Sequence, residues 1–395
     1  MLTLRRITVN GFKAVDQFSM SIEPKLTVLL GMNGAGKSTI LQLFSLIRDL
    51  ALGNPARFFE TRGWDWKDLR FRAPNNRSTS LRVVASFEMK SFGNVHWSLH
   101  WGMASGYLQR ESVEFRPFSE LEYTSILKFD KNTGGQALGR ELPALNFAGS
   151  LLPALQDQSQ KAEYGLILTE LYAWFRGIQS LELLSPSAMK GGTRMSFGDM
   201  GTRGDRLAGF LAALSPHQKI RVIERVSSFY PLVEFETVRK RAGWINLSLS
   251  ERFRNFGSID STQMSDGFMR ILALCAIPEL PNVSMVLLDE IEDGIEPHIL
   301  GDLMSLIDNE THAQIVATSH SPIIANIVEP SCLRLIYRDE DGRTNGVEVD
   351  RLPSFHDNRE YFGMGELWSN TSLKVLDEDV KSLNKMNTEG EDIWP

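Results

Sequence analysis

The chain of 395 residues has few cysteines, no long apolar run and no excess of basic charge. Its two cysteines, Cys275 and Cys332, lie in apolar stretches, so we expect no disulfide framework and a reducing, cytoplasmic location. No apolar run approaches the roughly 20 residues needed to cross a bilayer, so we expect no membrane partner. The net charge of −7 argues against a surface dominated by nucleic-acid binding, although a local basic groove is compatible with it.

Heptad repeats and low-complexity tracts are also missing, which argues against a long coiled coil. What the chain has instead is an alternation of short apolar strands with helices, which predicts a parallel sheet with crossover helices. Strands are predicted at 2–9, 18–22, 26–30, 81–88, 95–101, 232–240, 244–249, 284–289 and 314–318. Helices are predicted at 37–50, 161–178, 205–214, 217–228, 265–277, 296–308 and 322–327. Residues 55–80 are predicted to be irregular.

Residues 31–39 carry the most specific motif of the chain. They read Gly-Met-Asn-Gly-Ala-Gly-Lys-Ser-Thr, match G-x-x-x-x-G-K-[ST], and stand between a predicted strand and a predicted helix. The glycines let backbone N–H groups converge on phosphate oxygens at the positive end of the helix. Lys37 is expected to neutralise the β- and γ-phosphates of ATP, and the Ser38 hydroxyl to bind Mg²⁺. The predicted nucleotide-binding residues are Asn33, Gly34, Ala35, Gly36, Lys37, Ser38 and Thr39.

A second motif is the apolar strand Met285-Val-Leu-Leu, which ends in Asp289 and Glu290. Acidic residues after a buried strand are common loop starters. Together with a phosphate-binding loop, however, Asp289 is predicted to hold Mg²⁺ and Glu290 to orient and deprotonate the attacking water. His320 follows the next predicted strand. A lone histidine is usually structural, but in this order His320 is predicted to donate a hydrogen bond to the γ-phosphate.

A third motif, Met264-Ser-Asp-Gly-Phe, precedes an apolar helix. Alone, Ser265 is most simply the N-cap of that helix. Its position shortly before the Asp-Glu strand favours a functional interpretation instead.

With these motifs in this order, the chain resembles ABC-type ATPase heads of the RecF/SMC class. More narrowly, it looks like the stand-alone RecF-like predicted ATPases related to the overcoming-lysogenisation-defect (OLD) family. The resemblance covers residues 1–50 and 260–339. It implies an α/β P-loop NTPase fold, an ABC ATPase head with a mixed sheet, an antiparallel lobe and a helical insertion. Lys13 matches a first-strand motif of the family in which a basic residue approaches the nucleotide.

The resemblance also implies a homodimer or higher homo-oligomer. Ser265 and Gly267 would contact the γ-phosphate bound by a second protomer, and Asp293 would begin the D-loop at the same interface. ATP would thus be sandwiched between two heads, and hydrolysis would release them. Met264 stands where the family more often has leucine. The family's Q-loop glutamine cannot be assigned among Gln109, Gln136, Gln156, Gln158, Gln160 and Gln179.

The predicted organisation is one ABC-type ATPase domain over residues 1–395. Residues 1–120 and 260–350 would form its core lobe, 121–259 a helical or variable insertion, and 351–395 a C-terminal docking segment and tail. We find no carboxylate cluster typical of the Toprim nuclease that OLD proteins carry. The chain also ends too soon after His320 for a further domain of ordinary size. A nuclease effector is therefore expected to be a separate polypeptide.

Three weaker patterns each have a plain interpretation and a functional one. A basic and aromatic stretch is either a DNA-binding patch or, as we favour, a solvated loop. Its members are Arg62, Lys67, Arg70, Arg72, Arg77 and Arg82, with Trp64, Trp66 and Phe71. His96 and His100 share one face of a strand and are interpreted as strand residues rather than metal ligands. Residues 356–358, His-Asp-Asn, are interpreted as a polar loop rather than a nuclease cluster.

The predicted function is a Mg²⁺-dependent ATPase that dimerises on ATP and regulates a partner effector. The effector would be a nuclease or toxin in antiphage defence or DNA repair, and DNA is a further candidate partner. Two alternatives stay open: a nucleotide-locked scaffold with little turnover, and the nucleotide-binding subunit of a transporter. The Ser-Asp-Gly motif without a following Gly-Gln, and the large middle segment, argue against the transporter.

Overall fold

The computed structural model describes residues 2–71, 79–156, 164–181, 185–239, 243–253, 257–356, 362–372, 374–376, 378–380 and 382. Its strands are β1 (Leu2–Asn10), β2 (Phe18–Ser21), β3 (Leu26–Leu30), β4 (Ser80–Met89), β5 (Gly93–Gly102), β6 (Tyr107–Pro117), β7 (Thr124–Asp130), β8 (Gly134–Ala137), β9 (Arg140–Leu142), β10 (Ile178–Leu181), β11 (Leu232–Arg239), β12 (Ile245–Glu251), β13 (Ile259–Asp260), β14 (Met285–Leu288), β15 (Gln314–Ser319), β16 (Leu333–Arg338) and β17 (Thr344–Glu348).

Its named helices are α1 (Lys37–Ala51), α2 (Ala56–Arg62), α3 (Gly165–Arg176), α4 (Pro186–Met189), α5 (Leu207–Ala213), α6 (Pro216–Ser227), α7 (Asp266–Ala276), α8 (Pro297–Glu310), α9 (Pro322–Ile327), α10 (Pro353–His356) and α11 (Met364–Asn370). Over the described part of the chain, no helix is long and apolar enough to span a bilayer. Residue contacts divide the chain into two compact units, the first comprising Met1–Arg176 and His320–Pro395, the second Gly177–Ser319. The predicted limits of the lobes stay a prediction.

An eight-stranded antiparallel sheet dominates the first unit, in the order β2-β1-β4-β5-β6-β7-β8-β9. Alternate residues of β4 and β5 are buried, as the sequence pattern predicted. Their aromatic side chains pack against α3. The ring centroids of Phe87 and Trp174 are 4.8 Å apart, and those of Trp97 and Phe175 are 4.6 Å apart. The core of the first unit therefore lies between this sheet and α3.

Strands β6 to β9 extend this sheet to residue 142, although the sequence pattern did not predict them. In β6 the apolar alternation is broken by Glu111, which is buried on the core side. Its Oε1 accepts hydrogen bonds from Trp97 Nε1 at 2.8 Å and Ser150 Oγ at 2.5 Å, and its Oε2 from Leu151 N at 2.7 Å. Burial raises the pKa of the Glu111 carboxyl, although these three donors oppose the shift. A buried carboxyl with all its hydrogen bonds made within the protein thus masks the strand period.

Residues 55–80 are not irregular throughout, so that prediction was wrong. Helix α2 forms there and buries Phe58, and a 3₁₀ turn follows at Trp66–Leu69. Gly63 ends α2 with a φ of 65°, and the Asp65 side chain caps the 3₁₀ turn by accepting from Lys67 N at 2.5 Å. Two short capped elements lie within a polar stretch, and apolar periodicity does not detect them.

A smaller mixed sheet also belongs to the first unit. β3 pairs in parallel with β16, and β16 pairs antiparallel with β17. All five residues of β3 are buried, which explains its uninterrupted apolar sequence. The carboxyl end of β3 leads into the loop at residues 31–36.

Three parallel strands, β10, β14 and β15, lie side by side in the second unit. The chain returns from β14 to β15 through α8, the crossover that the alternating pattern predicted. β14 and β15 are buried throughout. The strands predicted at 232–240 and 244–249 are confirmed as β11 and β12, which pair antiparallel. Residues 240–242 between them lie outside the described residues.

A buried ion-pair cluster joins α6 to the segment after α7 in the second unit. The side chain of Glu279 is 3% exposed. Its carboxylate forms an ion pair with Arg225 Nη1 at 2.9 Å and accepts a hydrogen bond from Arg221 Nε at 2.8 Å. Arg225 also binds Glu310 at 2.7 Å. Burial opposes ionisation of Glu279, but the hydrogen bonds from the two arginines outweigh it and lower the pKa of that carboxyl.

Replacing Glu279 with glutamine is expected to lower the free energy of unfolding by about 3 kcal/mol, because Arg225 would keep a buried charge without its main partner. Because the Glu279 pKa is lowered on folding, this stability is present above the unfolded pKa and lost as the pH falls through the folded one. The difference in the free energy of unfolding between wild type and Glu279→Gln should thus become smaller below about pH 4. Urea unfolding at several pH values measures it.

Glu310→Gln is the matched control, because Glu310 pairs with the same arginine but its side chain is 44% exposed. The Glu310→Gln substitution should lower the free energy of unfolding by less than about 1 kcal/mol. Equal losses in the two variants would contradict the prediction.

Candidate nucleotide site

The loop at residues 31–36 has the shape that the phosphate-binding motif predicts. It leaves β3 and enters α1, which begins at Lys37. Gly34 has a φ of 81° and Gly36 a φ of 109°, both in the region that favours glycine. Gly36 is the N-cap of α1, so the loop stands at the positive end of a 15-residue helix. Backbone N–H groups at such an end bind anions such as phosphate.

Two glycines of the loop are required by packing within the first unit. A Cβ on Gly31 would lie 2.4 Å from the carbonyl oxygen of Ile336 in β16, and one on Gly36 would lie 2.2 Å from Thr344 Oγ1 in β17. Thr344 also donates a hydrogen bond to the carbonyl of Ala35 at 3.0 Å. Thr344 therefore packs against the loop and stabilises it. Sequence analysis missed this role because Thr344 lies about 300 residues after the loop and belongs to no recognisable motif.

The polar groups of the loop suit a phosphate with Mg²⁺. Lys37 is buried, and its ammonium donates to the carbonyls of Gly31 at 2.7 Å and Met32 at 3.2 Å. Asn33 and Gly34 are exposed, and no described atom lies within 4 Å of a Cβ placed on Gly34. Ser38 and Thr39 are half-buried in the first turn of α1. An ammonium, hydroxyls and N–H groups at one helix end match the donor set for this ligand.

Lys13, predicted to approach the nucleotide, is held within the first unit by neighbouring side chains. It has a φ of 48°, unusual for a residue other than glycine. Its ammonium lies 3.6 Å from the centroid of the Trp64 ring and 3.1 Å from Gln42 Oε1 in α1. A second cation, Arg62, lies 5.8 Å from the same centroid, and burial lowers the pKa of Arg62 to about 10. A nucleotide role for Lys13 stays a prediction.

The second unit brings Asp289 and Glu290 together at the carboxyl end of β14. The hydroxyl of Thr318, in the neighbouring strand β15, donates to Asp289 Oδ1 at 2.5 Å. The same hydroxyl accepts a hydrogen bond from Glu290 N at 2.8 Å. Asp289 is half-buried and Glu290 is exposed. A carboxylate held at a strand end fits the predicted contact to Mg²⁺, and the exposed one fits a base that must reach water.

The backbone of Glu290 is strained. Its φ of 47° lies in the left-handed region, where a residue with a side chain costs about 1 kcal/mol or more. Hydrogen bonds on both sides maintain this conformation. Besides the N–H, its carbonyl accepts from Asp293 N at 3.0 Å and from Arg270 Nη1 at 3.4 Å. Strain of this kind concentrates at functional sites.

The Ser-Asp-Gly motif and the predicted D-loop are interlocked in the second unit. Ser265 is exposed and is the N-cap of α7, with its Oγ accepting from Phe268 N at 3.2 Å. A Cβ on Gly267 would lie 2.5 Å from the carbonyl oxygen of Gly294. Arg270, in α7, pairs with Asp293 at 2.7 Å. The capping role of Ser265 is compatible with its nucleotide role, which stays a prediction. Arg270 is a link between the two segments that sequence analysis missed.

His320 is exposed and stands directly after β15, and Ser321 then caps α9 by accepting from Ile323 N at 3.2 Å. Helix α11 packs on α9 through Gly365, where a Cβ would meet the carbonyl oxygen of Pro322 at 2.0 Å. The apolar segment at 362–368 therefore contributes to packing in the first unit. The role of His320 toward a phosphate stays a prediction.

Of the weaker patterns, the two histidines are the one that the structure bears on: His96 and His100 lie in β5, the strand that the sequence predicted. His96 stacks on Tyr123 with ring centroids 4.5 Å apart, and burial lowers the pKa of both His96 and His100. Within the described residues, no group of three or more His, Cys, Asp or Glu side chains is arranged to hold a metal. In the basic and aromatic stretch, the Trp64 ring lies next to the cations of Lys13 and Arg62. Six residues named in the sequence analysis lie outside the described residues: Arg72, Arg77, Gln158, Gln160, Asp357 and Asn358.

Two family models match parts of the chain. Residues 3–87 match a model described as "AAA ATPase domain". Residues 216–326 match one described as "AAA domain, putative AbiEii toxin, Type IV TA system". A comparison with curated proteins finds no match.

Among solved structures, an SMC head bound to the C-winged helix domain of ScpA has a TM-score of 0.54 and 15% identity, over 87% of this chain and 97% of that one. The SMC head of Thermotoga maritima has a TM-score of 0.48 and 13% identity, over 88% and 99%. An SMC head with coiled coil and joint from Pyrococcus yayanosii has a TM-score of 0.49 and 12% identity, over 88% and 97%. The first likeness confirms the predicted α/β fold. The chain therefore has the fold of an ABC/SMC-like P-loop ATPase.

Proposed function

We propose that this chain binds ATP with Mg²⁺ and hydrolyses it in composite sites shared by two copies. The observation that carries the proposal is the pair Asp289 and Glu290, oriented by one buried hydroxyl at the end of β14. The chain also has a phosphate loop with glycine at the positions where a side chain would collide. Acid residues suited to hydrolysis and a loop suited to phosphate occur together in one chain.

In the proposed reaction, Lys37 binds the β- and γ-phosphates and Glu290 orients a water molecule toward the γ-phosphorus. The water oxygen bonds to phosphorus while the bond to the β–γ bridging oxygen breaks, and the water proton moves to the Glu290 carboxylate. Ser38 and Asp289 would hold Mg²⁺, which would supply positive charge next to the phosphate oxygens. His320 donates a hydrogen bond to the γ-phosphate. ADP and phosphate then leave, and Glu290 returns its proton to solvent.

In this proposal, the second copy contributes its Ser-Asp-Gly motif to the site. Ser265 is exposed at the N-terminus of α7, where an oxygen of an opposed γ-phosphate would meet a hydroxyl and the helix end. Asp293 and Gly294 are exposed beside it in the same unit. This surface supports an ATP sandwich between two copies in which each copy completes the other's site.

For the output, we propose that the nucleotide state controls a separate effector, a nuclease or toxin of antiphage defence or DNA repair. The family description that names a toxin of a toxin–antitoxin system supports the defence role. The solved SMC head that binds a winged helix domain is a precedent for protein partners on this fold. DNA stays a candidate partner, which a salt-dependent binding assay would test.

Two variants test the shared site directly. Lys37→Ala should lose ATP binding, and Ser265→Asp should keep the helix cap, since aspartate is a good N-cap, while its charge repels the opposed γ-phosphate. Each is expected to lose phosphate release on its own. Mixed in equal amounts they should recover about a quarter of wild-type turnover, because half of the dimers would contain one intact site of two.

The same measurement separates the alternatives. Wild-type turnover per copy should rise with protein concentration if two copies share each site. A mixture with no recovered activity, or turnover independent of concentration, would contradict the shared site. ATP binding without phosphate release by the wild type would instead favour the nucleotide-locked scaffold.

A further inference from the structure

One buried threonine contacts three consecutive residues of the predicted catalytic segment. Thr318 is the penultimate residue of β15 and has no exposed surface. Its hydroxyl contacts Asp289 and Glu290, and its backbone carbonyl accepts a hydrogen bond from Ile291 N at 3.2 Å. Sequence analysis had singled out this segment for His320 and assigned no role to the threonine.

The direction of each hydrogen bond follows from the chemistry of the groups. The N–H of Glu290 can only donate, so Thr318 Oγ1 must accept there, at 2.8 Å. The single hydroxyl proton is then left for Asp289 Oδ1, 2.5 Å away, and that oxygen must accept. Asp289 Oδ1 is therefore an acceptor toward Thr318, and carboxylate oxygens are also the ligands that hard cations prefer. One side chain fixes the rotation of the metal-binding carboxylate and the position of the next peptide.

The hydrogen bond between Thr318 and Glu290 is important because the backbone of Glu290 is strained. With a φ of 47°, its side-chain direction depends on a conformation that the isolated chain would disfavour. The bond from its N–H to Thr318 and the bonds to its carbonyl from Asp293 N and Arg270 Nη1 stabilise that conformation from both sides. Loss of the Thr318 hydroxyl would remove the contact on the N–H side.

We propose that Thr318 is a positioning residue for ATP hydrolysis, whose hydroxyl aligns Asp289 for the cation and Glu290 for water. The inference rests on the proposed ATPase function. It assigns no direct contact between Thr318 and the nucleotide. Groups that orient metal ligands typically change activity or metal affinity 10- to 100-fold when they are removed, by analogy with known metal sites.

Thr318→Val removes the hydroxyl and keeps the branched shape, so it is the first test. We expect kcat to fall about 10- to 100-fold, with KM for ATP changed by less than about twofold. We also expect Mn²⁺ to bind about tenfold more weakly in the presence of ADP, as measured by electron paramagnetic resonance of the remaining free Mn²⁺. Thr318→Ser restores the hydroxyl and should bring both quantities to within about threefold of wild type.

Two further variants keep the test decisive. Thr8→Val is the control, because Thr8 is also a buried strand threonine with a hydroxyl bonded elsewhere, to Ser19 Oγ at 3.2 Å. It should leave kcat and Mn²⁺ affinity unchanged. If Thr318→Val fails to fold, Thr318→Ala is measured in its place, with thermal unfolding as the check.

Wild-type kcat and Mn²⁺ affinity in Thr318→Val would overturn the proposal, and so would a Thr318→Ser variant as impaired as the valine. Failure of the proposed function itself has a different signature. In that case wild type would release no phosphate, and Glu290→Gln would change nothing, while the Mn²⁺ measurement would still test whether Thr318 positions Asp289.

Discussion

Replacing Gly36 with valine is expected to weaken nucleotide binding at least about 100-fold, which corresponds to about 2.7 kcal/mol. Gly36 has a φ of 109°, which a β-branched residue adopts only at high cost. Its Cβ would also lie 2.2 Å from Thr344 Oγ1 and 2.9 Å from Thr344 Cγ2. Both effects displace the loop whose N–H groups must converge on the phosphates. Titration with ATP by isothermal calorimetry measures the loss.

Gly63→Ala is the matched control for this prediction. Gly63 also has a positive φ, 65°, but no described atom lies within 4 Å of a Cβ placed on it. The substitution should cost roughly 1 kcal/mol of stability through backbone strain and leave ATP affinity unchanged. Wild-type affinity in a folded Gly36→Val would show that the loop does not carry the nucleotide.

Replacing Glu290 with glutamine is expected to lower ATP turnover at least about 100-fold while ATP still binds. Glutamine keeps the size of the side chain but cannot take the proton of the attacking water. The backbone contacts to Thr318 and Arg270 do not involve the carboxylate, so they should survive the substitution. Phosphate release and ATP binding, measured separately, check the two halves of the prediction.

The same chemical change at Glu296 serves as the control. Glu296 lies six residues further on and has an exposed side chain beside His298, 3.5 Å away. Its replacement by glutamine should change turnover less than about twofold. Glu290→Gln should also accumulate as a dimer in Mg-ATP, because the step that releases the two copies is blocked. Equal turnover in Glu290→Gln and wild type would show that another group is the base.

The two motifs that sequence analysis placed best are local in the chain. The loop at 31–36 and the start of α1 are set by glycines, a buried strand and a helix that follow one another directly. Strand β14 is likewise buried throughout and is followed by Asp289, so its apolar run predicted the strand to within one residue at each end. Motifs of this kind can be predicted because the groups involved are joined by a few bonds.

Secondary structure was harder to predict where burial and polarity disagree. Strand β6 buries Glu111 on its core side, which hides the alternation that reveals β4 and β5. Helix α2 forms in a polar stretch because Gly63 and Asp65 end and cap short elements there. In both cases a few specific hydrogen bonds replace the apolar pattern on which the prediction depends.

The sequence by itself determined the class of chemistry: a loop for phosphate, and two acids at the end of a buried strand. Only the tertiary structure decided which residues hold those groups in place. Thr344 supports the loop, Thr318 joins Asp289 to Glu290, and Arg270 ties α7 to Asp293. The physical reason is that a hydrogen bond or a close packing contact depends on distance in space. Two residues far apart in the chain show no sequence pattern that predicts such a contact, because the contact forms only when the strands and helices pack together.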